Sequence, residues 1–258
     1  MISEKKFIAQ YKNFWNEIFP GLNNYIRKIN RRNVSNDENG DKSVLEEEGE
    51  LSIQINTDLI GFVNDIAFAF FDSEINGKKL RITKKSVIQE YEKIKRLHKY
   101  RYFRNPDKDG SSIADEIQLI RKIKERLIKK YAEHQPFVAP NFYGCGFQNE
   151  VFGDIIYKET LVEVKARGNK SEKGISAGFL SRDIIQLFIY AALYFSEQRE
   201  ERIEPRFGQL LNFELYNPRI GCTWHENIDI VAENISGGSS TDIFDEIIRF
   251  LSYTTTSL

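Results

Sequence analysis

Residues 182–195, RDIIQLFIYAALYF, leave this chain few ways to fold. A helix through them is apolar almost all round: Ile184, Ile185, Leu187, Phe188, Ile189, Ala191, Ala192 and Leu193. Ser181 stands at the N-cap position. A helix of this kind is buried, so other elements must surround it. At about 100° per residue, Asp183, Gln186 and Tyr190 share one narrow polar stripe. A buried polar stripe needs a polar partner. Either backbone groups satisfy the amide and the hydroxyl, or the stripe faces a site.

A candidate for that site lies upstream. Residues 153–165, GDIIYKETLVEVK, read as a β-hairpin. Ile155-Ile156-Tyr157 and Leu161-Val162 flank a polar turn at Lys158-Glu159-Thr160. Residues two apart on a strand share a face, so Glu163 and Lys165 point together while Val162, Val164 and Ala166 enter a core. A symmetric hairpin brings Asp154 level with Glu163. Two carboxylates and one ammonium then meet at a sheet rim. Such a set suits a hard cation, Mg2+ or Mn2+, which takes oxygen ligands and keeps several waters. The metal acidifies a bound water and polarises a phosphate, and the lysine orients the water or steadies charge on phosphoryl oxygens. The plain alternative is an exposed hairpin with a lysine–glutamate pair.

The motif Gly153-Asp154 followed by Leu161-Val162-Glu163-Val164-Lys165-Ala166 resembles the core of the PD-(D/E)xK nuclease superfamily, the restriction-endonuclease-like fold. Gln186 and Tyr190 resemble the Gln-x-x-x-Tyr signature of its RecB-like branch. The resemblance covers residues 111–252. It implies that Asp154 and Glu163 bind metal, that Lys165 positions or activates water, and that Gln186 and Tyr190 support the site or hold the strand. An acid on the first core helix often joins the metal in that family. Residues 111–132 read as a helix with Ile113, Ile117, Ile120, Ile123, Leu127 and Tyr131 on one face, and Glu116 falls inside that stripe. The resemblance therefore gives Glu116 a metal-binding role, with Glu150 as the rival. An edge-of-stripe glutamate reaching solvent is the alternative.

The remaining pattern completes a mixed α/β order of helix, strands, helix, strands, helix. Residues 137–147 and 151–157 read as strands, as do 206–216 and 220–230 after a turn at Asn217-Pro218. Thr241 is read as the cap of a last helix carrying Ile243, Phe244, Ile247, Ile248 and Leu251. The expected fold is a restriction-endonuclease-like core, a mixed central sheet flanked by helices, in residues 111–258. Residues 1–110 are expected to form a helical appendage, with helices over 6–19, up to 32, from Thr57, and over 86–103.

Charge bears on the partner. The net charge of −1 looks unfavourable for a nucleic-acid enzyme. Residues 36–50, NDENGDKSVLEEEGE, hold seven acids and one lysine, so this segment carries −6 and the remainder +5. It reads as a mobile linker or loop. Residues 93–104 carry six basic residues and no acid, interleaved with Tyr100, Tyr102 and Phe103. Lys95, Arg96, Lys99 and Arg101 are candidate phosphate contacts, a solvated helix face being the alternative.

Other chemistries find little support. His98, His134 and His225 are scattered, and Cys145 and Cys222 have no metal-ligand spacing and read as small buried residues. No stretch reaches the roughly eighteen apolar residues of a membrane span, and residues 1–10 lack a signal-peptide core. A cytoplasmic setting is expected. The expected function is Mg2+- or Mn2+-dependent hydrolysis of DNA phosphodiester bonds, which the resemblance links to prokaryotic restriction, defence or repair. Expected partners are DNA, a translocase or targeting subunit, and a second copy as a homodimer. A non-catalytic nucleic-acid- or protein-binding module of the same fold is the alternative, and an RNA nuclease is a third reading.

Overall fold

A computed structural model describes residues 8–31, 46–47, 57–98, 113–142, 151–167, 169–171, 174–176, 178–199 and 208–255. Helices α1 (Lys12–Ile18) and α2 (Leu22–Arg31) precede a short strand β1 (Glu46–Glu47). Helices α3 (Thr57–Ile75), α4 (Lys84–His98) and α5 (Ile113–Tyr131) follow. Next come β2 (Phe137–Val138), β3 (Asn141–Phe142), β4 (Val151–Phe152), β5 (Ile155–Tyr157), β6 (Thr160–Val164), β7 (Asn169–Ser171) and β8 (Gly174–Ser176). Helix α6 (Ser181–Arg199), strands β9 (Asn212–Asn217) and β10 (Cys222–Asn227), and helices α7 (Ile228–Ser236) and α8 (Ser240–Thr255) complete the order.

The central sheet is mixed, in the order β1-β10-β9-β6-β5-β2. Strands β6 and β9 run parallel, and the other neighbours run antiparallel. A parallel pair needs a crossover, and α6 lies within it. All five residues of β6, TLVEV, are buried, because helices cover both faces. Ile156, Leu161, Phe213 and Leu215 join α1, α2, α6, α7 and α8 in one core. Ile155, Val162, Val164, Ala166 and Tyr216 join α3, α4 and α5 in the other. The chain is therefore a mixed α/β protein whose sheet is flanked by helices.

Several boundaries differ from the sequence reading, each for a local reason. The strand expected over 220–230 stops at Asn227, whose side chain accepts from the amides of Asp229 (2.9 Å) and Ile230 (3.4 Å) and starts α7. Ser239, not Thr241, caps α8: its hydroxyl accepts from the Asp242 amide (3.2 Å) and donates to the Asp242 carboxylate (2.6 Å). Ser181 does not cap α6. Its hydroxyl goes to Asn23 on α2, and Asp183 reaches back to the Leu180 amide at 2.7 Å. Helix α4 starts earlier than residue 86, because Thr83 and Ser86 cap each other's amides at 3.2 and 2.9 Å. The strand expected over 137–147 is broken into β2 and β3, with 143–150 outside the described residues.

The described helices before residue 99 pack as part of the body. Trp15, Ile18, Phe19, Leu22, Ile26 and Ile29 are buried with α6 and the sheet. Phe62, Val63, Ile66, Phe70 and Phe71 are buried with α5 and the opposite face. No break in packing among the described residues marks a boundary near 110. Within the acidic run 36–50, Glu46 and Glu47 pair with Thr223 and Cys222 as the sheet's edge strand, where a linker or loop was expected.

Candidate active site

The hairpin of β5 and β6 forms in the expected register. Ile155 faces Val162, Ile156 faces Leu161, and Tyr157 faces Thr160. The turn is Lys158-Glu159, tighter than expected, with Lys158 at φ 41°. Extending the register by one residue brings Asp154 opposite Glu163. Asp154 sits at a bend rather than on β5 and is half-buried. Its Oδ2 accepts from the Val164 amide at 2.6 Å, which ties it to the strand that carries Glu163.

Glu163 is 3% exposed and lies on the α6 side of the sheet, between Leu161 and the level of Leu215. Lys165 bonds Glu163 directly. Burial alone would push the Lys165 ammonium down. Glu163 first, then Asp154 and Asp183, outweigh that and hold it well above the usual lysine range. Lys165 is therefore a cation among three carboxylates, suited to donating hydrogen bonds to an anion and unsuited to taking up a proton at neutral pH.

Helix α6 supplies the rest. Asp183, Gln186 and Tyr190 are all buried, although the helix is otherwise apolar. Gln186 Nε2 approaches the Tyr190 hydroxyl at 3.5 Å. The Tyr190 ring stacks on Phe142 at 5.5 Å between centroids. Both rings close on Gly153: a Cβ there would lie 3.1 Å from Phe142 and 3.6 Å from Tyr190. The tyrosine of the Gln-x-x-x-Tyr pair is thus packed against the residue before Asp154, and the glycine allows that approach.

Two charged residues were not assigned to the site from sequence. Arg167 pairs with the buried Asp183. A signal existed for each. Arg167 continues the alternation of Glu163 and Lys165, and Asp183 shares the stripe of Gln186 and Tyr190. A further buried acid, Glu214, lies on the opposite face of the sheet. It accepts from Tyr131 at 2.6 Å and Tyr157 at 2.8 Å, with Lys130 at 3.5 Å. Its place between Phe213 and Leu215 marks the face switch, but sequence alone does not reveal two tyrosines from different elements converging on it.

Glu116 is 2% exposed, as its place in the stripe predicts. It comes from α5, however, which covers the sheet face opposite to Glu163. Among the described residues, no three His, Cys, Asp or Glu side chains form a ready cation cage. The hard oxygens of Asp154 and Glu163, level with each other, fit a Mg2+ or Mn2+ ion that keeps most of its waters. Lys95 and Arg96 lie on α4, with their side chains outside what is described; Lys99, Arg101, Glu150 and Cys145 fall outside the described residues altogether. Cys222 is buried, as expected.

Fold and site together define a mixed α/β protein with a charged cluster at the end of its central strand. The chain matches no protein-family profile, no curated protein and no solved structure. Among the described residues, no helix is long and apolar enough to cross a membrane.

Proposed function

We propose that this protein is a metal-dependent nuclease that hydrolyses DNA phosphodiester bonds, with a restriction-endonuclease-like core. One observation carries the reading: Asp154 and Glu163 stand level across a hairpin, and Lys165 is bonded to Glu163 on the same face. A metal-assisted hydrolase needs anionic oxygens beside a fixed cation in a partly dry place. Asp154 and Glu163 would hold Mg2+ or Mn2+, which supplies a water of lowered pKa and charge neutralisation at the phosphate. Lys165 donates to the phosphoryl oxygens as charge develops there. Asp154 is kept in register by the Val164 amide. Tyr190, packed behind Gly153 and approached by Gln186, holds the bend that presents it.

The test is incubation with plasmid, linear duplex and single strands, with Mg2+ or Mn2+ against EDTA. Metal-dependent cutting by wild type is expected, with none by folded Asp154→Asn. Lys165→Ala should bind DNA yet turn over several orders of magnitude more slowly, a loss of a few kcal/mol of transition-state stabilisation. Cutting retained by Asp154→Asn would end the proposal.

One observation favours a non-catalytic binding module instead. Glu163 and Asp183 are already ion-paired within the protein, to Lys165 and Arg167. On that reading wild type cuts no substrate with any divalent metal, and Lys165→Ala leaves its binding unchanged.

A further inference from the structure

Arg167 is poorly used as a structural brace. An arginine that only ties a strand to a helix does best as a bidentate fork on its carboxylate. Here the contact is end-on: one terminal nitrogen meets Asp183 Oδ2. That oxygen also takes the Leu180 amide. Asp183 Oδ1 and Arg167 Nε are both buried, and neither has a hydrogen-bond partner among the described residues. Asp183 is fully buried, whereas the Arg167 side chain is 28% exposed. The carboxylate fixes one edge of the guanidinium, and part of the side chain still reaches the surface.

The position of Arg167 says what it would meet there. Glu163, Lys165 and Arg167 alternate along one chain direction. That stretch stays bound to the end of β9, through the Lys165 amide on Tyr216 (2.8 Å) and the Asn217 amide on the Arg167 carbonyl. Ala166 is buried in the opposite core, so Lys165 and Arg167 share the α6 side. Two residues of extended chain span about 7 Å, close to the step between neighbouring phosphates of a nucleic-acid strand. A lysine serving one phosphate thus has an arginine one phosphate further along.

We infer that Arg167 binds the DNA phosphate next to the scissile one, with Asp183 anchoring it. This rests on the nuclease reading and adds to it a second phosphate subsite. Planar guanidinium recognition of phosphate is the chemistry involved.

The experiment is binding of a labelled DNA duplex in EDTA over a range of salt, so that cleavage plays no part. Folded Arg167→Gln should bind more weakly, with a log–log salt slope reduced by about 0.9, one phosphate contact. An unchanged slope would make Arg167 a brace only and overturn the inference while leaving the nuclease reading intact. Should Arg167→Gln fail to fold, Arg167→Lys decides. It keeps the charge and loses the fork, so several-fold weaker binding at an unchanged slope supports the inference, and wild-type affinity overturns it. Wild type that binds no DNA and cuts none would overturn both.

Discussion

Single residues set how much the site tolerates. Gly153 shows this most simply. Its place is open to a hydrogen and tight for a methyl, with Phe142 at 3.1 Å from an added Cβ. Gly153→Ala should destabilise by about 1–3 kcal/mol through overpacking and, under the proposed nuclease function, should lower cleavage more than stability, because Asp154 is the next residue. Urea denaturation set beside a cleavage assay separates the two effects. Tyr131 offers a pH test. Burial first, then the Glu214 carboxylate, hold its phenol well above the usual value. The folded state therefore keeps a proton that the unfolded state releases near pH 10. That contribution to stability is whole below about pH 10 and is lost as pH rises beyond it. Tyr131→Phe should cost about 1–3 kcal/mol at neutral pH, since a buried carboxylate loses a donor. It should also flatten the alkaline decline. A wild-type and variant difference that stays constant from neutral pH to strong alkali would contradict this account.

At the scale of elements, the caps decide where strands become helices. Asn227 ends β10 and begins α7, accepting two amides while its own amide donates to Leu211 at 3.1 Å. Asn227→Ala removes both roles and should cost about 1–2 kcal/mol, read as a shift in the denaturation midpoint. The parallel pair of β6 and β9 is the other decisive element. It makes α6 a crossover pressed on the sheet, and this is why the polar stripe of α6 comes to the face that bears Glu163. The hairpin was legible because Ile155, Ile156, Leu161 and Val162 are strand residues around a short turn. The helix start at Ile228 was not, since Ile228, Ile230 and Val231 read equally well as strand until Asn227 caps them.

For the whole molecule, residues 8–31 are structural. Trp15 is 3% exposed, and Phe19 packs in the same core with its ring tilted against Phe188, 5.1 Å between centroids. Gly21 lies so close to α7 that an added Cβ would meet the Asn234 carbonyl at 2.8 Å. Asn30 both donates to and accepts from Phe179, at 2.7 and 3.1 Å, which fixes the segment leading into α6 and Asp183. A fragment beginning at residue 111 should therefore fail to fold cooperatively, and Trp15→Ala should cost about 3–5 kcal/mol. Thermal melting of both proteins checks this. A cooperative transition in the fragment would restore the N-terminal region to the status of an appendage.

The sequence by itself determined what depends on near neighbours. The period of residues 113–131 and the all-round apolarity of 184–193 set two helices. The hairpin register set Asp154 against Glu163. These follow from local periodicity and a short turn, where the partners are a few residues apart. Only the tertiary structure decided which helices cover which face. That choice brought Arg167 to Asp183 and gathered Tyr131 and Tyr157 around Glu214. Each of these contacts joins residues from separate elements, and a burial pattern along one element says that a residue is inside without saying what it faces. The same reason accounts for the N-terminal helices: their apolar stripes announce a buried face, and only the packing shows that the buried face belongs to the central sheet.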